Sequence, residues 1–97
     1  MNPSKKVITK LHTLQPEVQQ RFHARIDGIF GSYAKGTETV NSDLDLLVTF
    51  LPKATLFDFA ELGDFLSTQL GITVDVVSRN AIRKKYRQSI LDNTKWI

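Results

Sequence analysis

The stretch Gly31–Phe50, GSYAKGTETVNSDLDLLVTF, decides how the rest of this chain is read. It opens on a glycine-serine turn, crosses a polar loop and ends in an apolar run with two aspartates at its start. Leu44, Leu46, Leu47 and Val48 are residues of a buried strand, and Asp43 and Asp45 are types that such a strand ordinarily lacks. A carboxylate buried without a partner is costly, so the pair needs a reason.

Side chains alternate across a strand, so Asp43 and Asp45 project from one face with Cα atoms about 6.6 Å apart. Two readings are open at this point. In one, they are the wet face of an alternating strand. In the other, they converge on a divalent cation, which removes the repulsion that would otherwise raise one of their pKa values. Ligands made only of oxygen favour Mg²⁺ or Mn²⁺ over zinc.

The preceding turn favours the cation. Gly31 permits close approach of an anion to the backbone, Ser32 adds a hydroxyl donor at the start of a helical turn, and Lys35 supplies charge. A phosphate cradle followed by paired carboxylates provides for a triphosphate and for the metals that neutralise it. A third carboxylate, Asp75, lies in the apolar run TVDVV. If its strand adjoins the first, three carboxylates can meet. Two metals roughly 3.5–4 Å apart would then clamp an in-line phosphoryl displacement, with Asp75 sharing a metal or acting as general base.

Around this stretch the chain reads as α/β: helix, strand, short turn, strand, helix, strand, helix, forming a small mixed sheet of three or more strands flanked by helices. Val7, Ile8, Leu11 and Leu14 recur at helical spacing, and a second short helix is expected from Pro16 to about His23, because proline suits a first helical turn. ARIDGIF is a strand ending at Phe30. TLFD has the form of a capping box and opens a helix with Leu56, Phe59, Leu62, Phe65, Leu66 and Leu70 near one face, stopped at Gly71. Gly63 within it points to close packing. ITVDVVS is the third strand, and Ile82, Tyr86 and Ile90 step along a last helix.

At 97 residues, residues 1–97 read as one domain. The absence of cysteine excludes disulfides, thiolate metal sites and a cysteine nucleophile. His12 and His23 have no further ligands nearby and read as structural or surface residues. No signal peptide or membrane span is visible, so a cytoplasmic protein is expected. The net charge of +3 is concentrated in SRNAIRKKYRQ, which reads as a solvated helix face, with a polyanionic partner or a nucleotide as the alternative.

Gly-Ser, ten intervening residues and Asp-x-Asp resemble the signature of the polymerase β-like nucleotidyltransferases. The short chain and its continuation FDFAELGDFLSTQLGITVDVVS are similar to the minimal nucleotidyltransferases (MNT proteins). The likeness runs from about Ile26 to the C-terminus; residues 1–25 share only helical character. The resemblance implies that Gly31 and Ser32 bind the β- and γ-phosphates of ATP, that Asp43 and Asp45 hold two Mg²⁺ ions and that Asp75 is the third carboxylate. Ser42 also belongs to the family pattern, and Lys35 stands where arginine is common. Asp27 and Gly28 depart from the pattern by weakening the first strand.

The resemblance further implies an antitoxin that moves AMP from ATP to a tyrosine of a HEPN ribonuclease toxin. A binding module that neutralises the toxin by complex formation alone is the alternative. Transfer to a small molecule such as an aminoglycoside, or to RNA, is a third reading, disfavoured because such enzymes usually carry further domains. Nucleic acid is therefore not the expected partner. A complex with the toxin is expected, since so small a chain needs a partner surface to complete its acceptor site.

Overall fold

The computed structural model describes residues 3–97. Four helices, α1 (Pro3–Phe22), α2 (Ser32–Lys35), α3 (Leu56–Leu70) and α4 (Lys84–Asp92), alternate with strands β1 (Ala24–Phe30), β2 (Leu44–Phe50), β3 (Val74–Ser78) and β4 (Lys95–Trp96). A 3₁₀ turn, Arg79–Ala81, joins β3 to the α4 segment. The sheet order is β3-β2-β1-β4. β1 is antiparallel to both β2 and β4, and β2 is parallel to β3, so the sheet is mixed as expected.

One face of the sheet makes the main core. Leu44, Leu46 and Val48 of β2 and Ile26 and Ile29 of β1 pack with Leu11, Leu14, Val18 and Phe22 of α1 and Leu62 and Leu66 of α3. Leu47 is equally buried but stands outside that cluster, as the alternation of β2 requires of a residue on the other face.

Helix α1 is continuous, which corrects the expectation of a break at Pro16. Proline removes the bond to the carbonyl of His12 and costs about 3 kcal/mol in a helix interior. Both residues are exposed, so water can serve that carbonyl, while Leu11, Leu14, Val18 and Phe22 bury a stripe that spans the proline. Gln15 also ties this part of the helix to the sheet. Its amide donates to the Ile26 carbonyl and accepts from the Ile26 N–H, both at 2.9 Å, as an adjacent strand would.

α3 begins with the expected capping box. The Thr55 hydroxyl accepts from the Asp58 N–H, and the Asp58 carboxylate accepts from the Thr55 N–H. Gly71 ends it in the left-handed conformation. The expected apolar face is narrower than its spacing implied: Leu62 and Leu66 are buried, whereas Leu56 is 87% and Phe59 39% exposed. Nor is Gly63 needed for close approach. A Cβ there would meet Val76 at 3.8 Å, an ordinary contact.

Asp27 and Gly28, which weaken β1 as a sequence, form a bulge in its pairing with β2. Gly28 lets β4 approach, since a Cβ at that position would lie 2.6 Å from the Lys95 carbonyl. No helix among the described residues is long and apolar enough to cross a membrane.

Candidate active site

Strand directions gather the site at one end of the sheet. β1 ends where antiparallel β2 begins, with Phe30 opposite Asp45, and β3 begins beside β2, with Asp75 opposite Asp45. Adjacent in-register positions of a parallel pair share a face about 4.8 Å apart. Asp45 and Asp75 are therefore neighbours, and the Gly31–Ser32 turn that follows β1 abuts the same position.

Gly31 leads into α2 with φ 71° and ψ −151°, a combination open to glycine alone. A second constraint applies to it, because a Cβ at Gly31 would collide with Oδ2 of Asp45. The turn is thus pressed onto the carboxylate by backbone shape and by the missing side chain together. Ser32 opens α2 and is half-buried, and Lys35 is exposed in its last turn. The Ser42 hydroxyl accepts from the Thr39 N–H at 2.9 Å, while its own N–H donates to the Thr39 carbonyl at 3.0 Å. It thereby shapes the loop that delivers Asp43.

The carboxylates are unequal. Asp45 is half-buried, and burial pushes its pKa above the usual value of 3.8; the charges of Asp75 and then Asp43 push it further the same way. Asp75 is exposed, and Asp43 is exposed just before the first paired residue of β2. The three do not close into a ready metal cage: among the described residues no group of three or more His, Asp or Glu side chains is spaced to hold an ion. The physical reason is that Asp43 precedes Leu44, where the ladder starts, so no register holds its side chain against the other two. The donor set nevertheless fits a hard cation, being made only of carboxylate oxygens whose mutual repulsion is already felt at Asp45.

A strand-end carboxylate pair under a glycine-serine turn suits phosphate chemistry, and comparison with known proteins agrees. The nucleotidyltransferase domain family matches residues 11–97. Protein adenylyltransferase MntA of Thermococcus cleftensis is 33% identical over 81 residues, covering 84% of this chain and 82% of the relative. The chain belongs to the minimal nucleotidyltransferase family.

Solved structures extend the match. A minimal nucleotidyltransferase superposes with a TM-score of 0.81 at 32% identity, covering 98% of this chain and 95% of the other. A toxin–antitoxin crystal structure with AMP-PNP gives a TM-score of 0.69 at 26% identity, covering 97% and 71%. The chain is accordingly a nucleotidyltransferase in the minimal form of the fold. Two features of its site have no signal in the local sequence. The close approach of Gly31 to Asp45 has none in a lone glycine, and Tyr33 is buried in the core beneath the turn.

Proposed function

We propose that residues 1–97 act as one nucleotidyltransferase domain that moves AMP from ATP to a hydroxyl, that of a tyrosine, on a cognate HEPN-type toxin, and so serve as its cytoplasmic antitoxin. The observation that carries this reading is the convergence of Gly31, Asp45 and Asp75 at one sheet end in a chain whose relative is a protein adenylyltransferase. The likeness to a toxin–antitoxin complex with AMP-PNP supports both the nucleotide and the kind of partner.

In this reading Gly31 and Ser32 hold the β- and γ-phosphates, Lys35 adds positive charge beside them and Ser42 holds the loop that presents Asp43. Asp43 and Asp45 would hold Mg²⁺, or Mn²⁺ in its place, with Asp75 completing the set. The metal supplies charge neutralisation on the phosphates. Asp75, the exposed carboxylate of the pair, accepts the proton of the incoming hydroxyl. The acceptor oxygen bonds to the α-phosphorus as the bond from that phosphorus to the bridging oxygen breaks, and pyrophosphate leaves with the electron pair.

The test is transfer from α-labelled ATP to the purified toxin. Label on the toxin that disappears with Asp43→Ala/Asp45→Ala is expected; an unlabelled toxin, or equal labelling by that variant, overturns the proposal.

One observation favours a second reading, neutralisation by binding alone. Leu56, Phe57 and Phe59 lie exposed at the start of α3 as an apolar patch suited to a partner surface. In that case Asp43→Ala/Asp45→Ala would still protect growing cells from the toxin.

A further inference from the structure

The basic run that the sequence presents as a solvated helix face contributes to a cleft. Arg79 and Arg87 meet Arg25 of β1 and Thr49 of β2 around an open cleft of about 560 Å³. Its position is fixed by the sheet. Asp45, Leu47 and Thr49 share one face of β2, so the cleft lies roughly 13 Å along the strand from the carboxylate site. Fully buried Leu47 stands between the two.

The cleft is preorganised and cationic. Asp27, buried beside it, accepts from Arg25 Nε at Oδ1, at 2.9 Å, and from the Thr49 hydroxyl at Oδ2, and Arg79 Nη1 stands 3.8 Å from that same Oδ2. Arg79 also lies over the Trp96 ring, 5.3 Å from its centroid. Two guanidiniums are thus held while remaining half-exposed, at 55% and 42%. Arg87 adds a third, bonded only to the Ile82 carbonyl at 3.4 Å; among the described residues no carboxylate pairs with it. Three guanidiniums against one carboxylate leave a net positive cleft.

We propose that this cleft docks an acidic segment of the protein acceptor; the proposal rests on the acceptor reading given above. Guanidinium forks match carboxylates in a bidentate way. The separation from the carboxylate site, with Leu47 sealed between, sets the cleft apart from the turn that would hold the phosphates and within reach of a macromolecule that touches both. A protein fits better than a nucleic acid. Arginine and tryptophan are the side chains that anchor protein interfaces, whereas a nucleic-acid groove needs charge tracking a backbone rather than gathered around one pit.

The experiment compares wild type with Arg87→Glu, both as full chains, in adenylyl transfer to the purified toxin. Charge reversal is expected to raise KM for the toxin about tenfold or more and to leave KM for ATP and the saturated rate within about twofold. Arg87→Lys, which keeps the charge, is expected to retain most of the affinity. An unchanged KM for the toxin overturns the proposal, as does an equal rise in KM for ATP. Loss of binding to a single-stranded oligoribonucleotide with no change toward the toxin also overturns it, in favour of a nucleic-acid site. If wild type labels no toxin, the acceptor reading itself has failed. Fluorescent hexaglutamate then decides the cleft: salt-sensitive binding to wild type that Arg87→Glu abolishes upholds an acidic-peptide site, and its absence removes one.

Discussion

Asp45 and Asp75 are register partners across the parallel β2–β3 pair, and burial, followed by the charges of Asp75 and Asp43, keeps the Asp45 carboxyl above its ordinary range. Without a cation the site is therefore strained electrostatically. A carboxyl whose pKa rises on folding binds its proton more tightly in the folded state. Its cost to stability is full above the folded pKa, shrinks as pH falls through that value and is gone below about 3.8. Asp45→Asn is expected to raise the melting temperature at pH 7 without metal by about 2–4 °C. Added Mg²⁺ should raise the melting temperature of wild type and leave that of the variant unchanged. Thermal denaturation with and without Mg²⁺ checks both.

Gly31→Ala tests the turn. The backbone there has a φ of 71° and a Cβ would strike the Asp45 carboxylate, so the variant must move either the turn or the aspartate. A loss of about 1–2 kcal/mol in stability is expected from the conformation. A fall of about 100-fold in kcat/KM is expected from displaced groups. Circular dichroism alongside the transfer assay separates the two effects.

The cap of α3 gives a prediction on acid stability. Asp58 is held below the usual carboxylate range by the Thr55 backbone N–H and then by His23, whose Nδ1 lies 3.2 Å from Oδ2. The sign is opposite to that of Asp45: this stabilisation is present above 3.8 and is lost as pH falls through the lowered value. Asp58→Asn should flatten the acid limb of a urea-unfolding series. Thr55→Ala, which removes the reciprocal half of the box, should lower stability by about 1 kcal/mol at neutral pH.

Pro16 interrupts the hydrogen bonding of a helix whose buried stripe continues on both sides of it. Pro16→Ala is expected to restore the bond to the His12 carbonyl. The gain is partly offset by the freedom the unfolded chain acquires when proline is removed. A net increase of about 1–2 kcal/mol in unfolding free energy is expected, read from the urea midpoint.

How far the sequence reached follows from the range over which each feature is encoded. β2, the α3 capping box and the Gly71 stop are set by residues within a turn or two of one another, and all were legible. The single α1 was not, because Pro16 is tolerated on account of burial on the opposite side of the helix. β4 was missed because two residues have no period; it exists because Gly28 leaves room for the Lys95 backbone. Leu56 and Phe59 fitted a helical spacing, yet both are exposed, because the core ends before it reaches the start of α3.

The sequence by itself determined the chemical inventory: a Gly31–Ser32 turn, the Asp43 and Asp45 pair, a third carboxylate at Asp75 and a basic run near Arg83. Local order along the chain was enough for that, since a turn and an alternating strand are properties of neighbours. Only the tertiary structure decided which of these groups meet. The parallel register set Asp75 against Asp45, the end of antiparallel β1 pressed Gly31 onto the same carboxylate, and Asp43 stayed one position short of the ladder. The same folding carried Arg25 to Arg79 and Arg87 from distant parts of the chain and made a cleft of what the sequence presents as a charged helix face. Contacts between strands are fixed by sheet order and register, which long-range pairing sets, and no window along the sequence contains them.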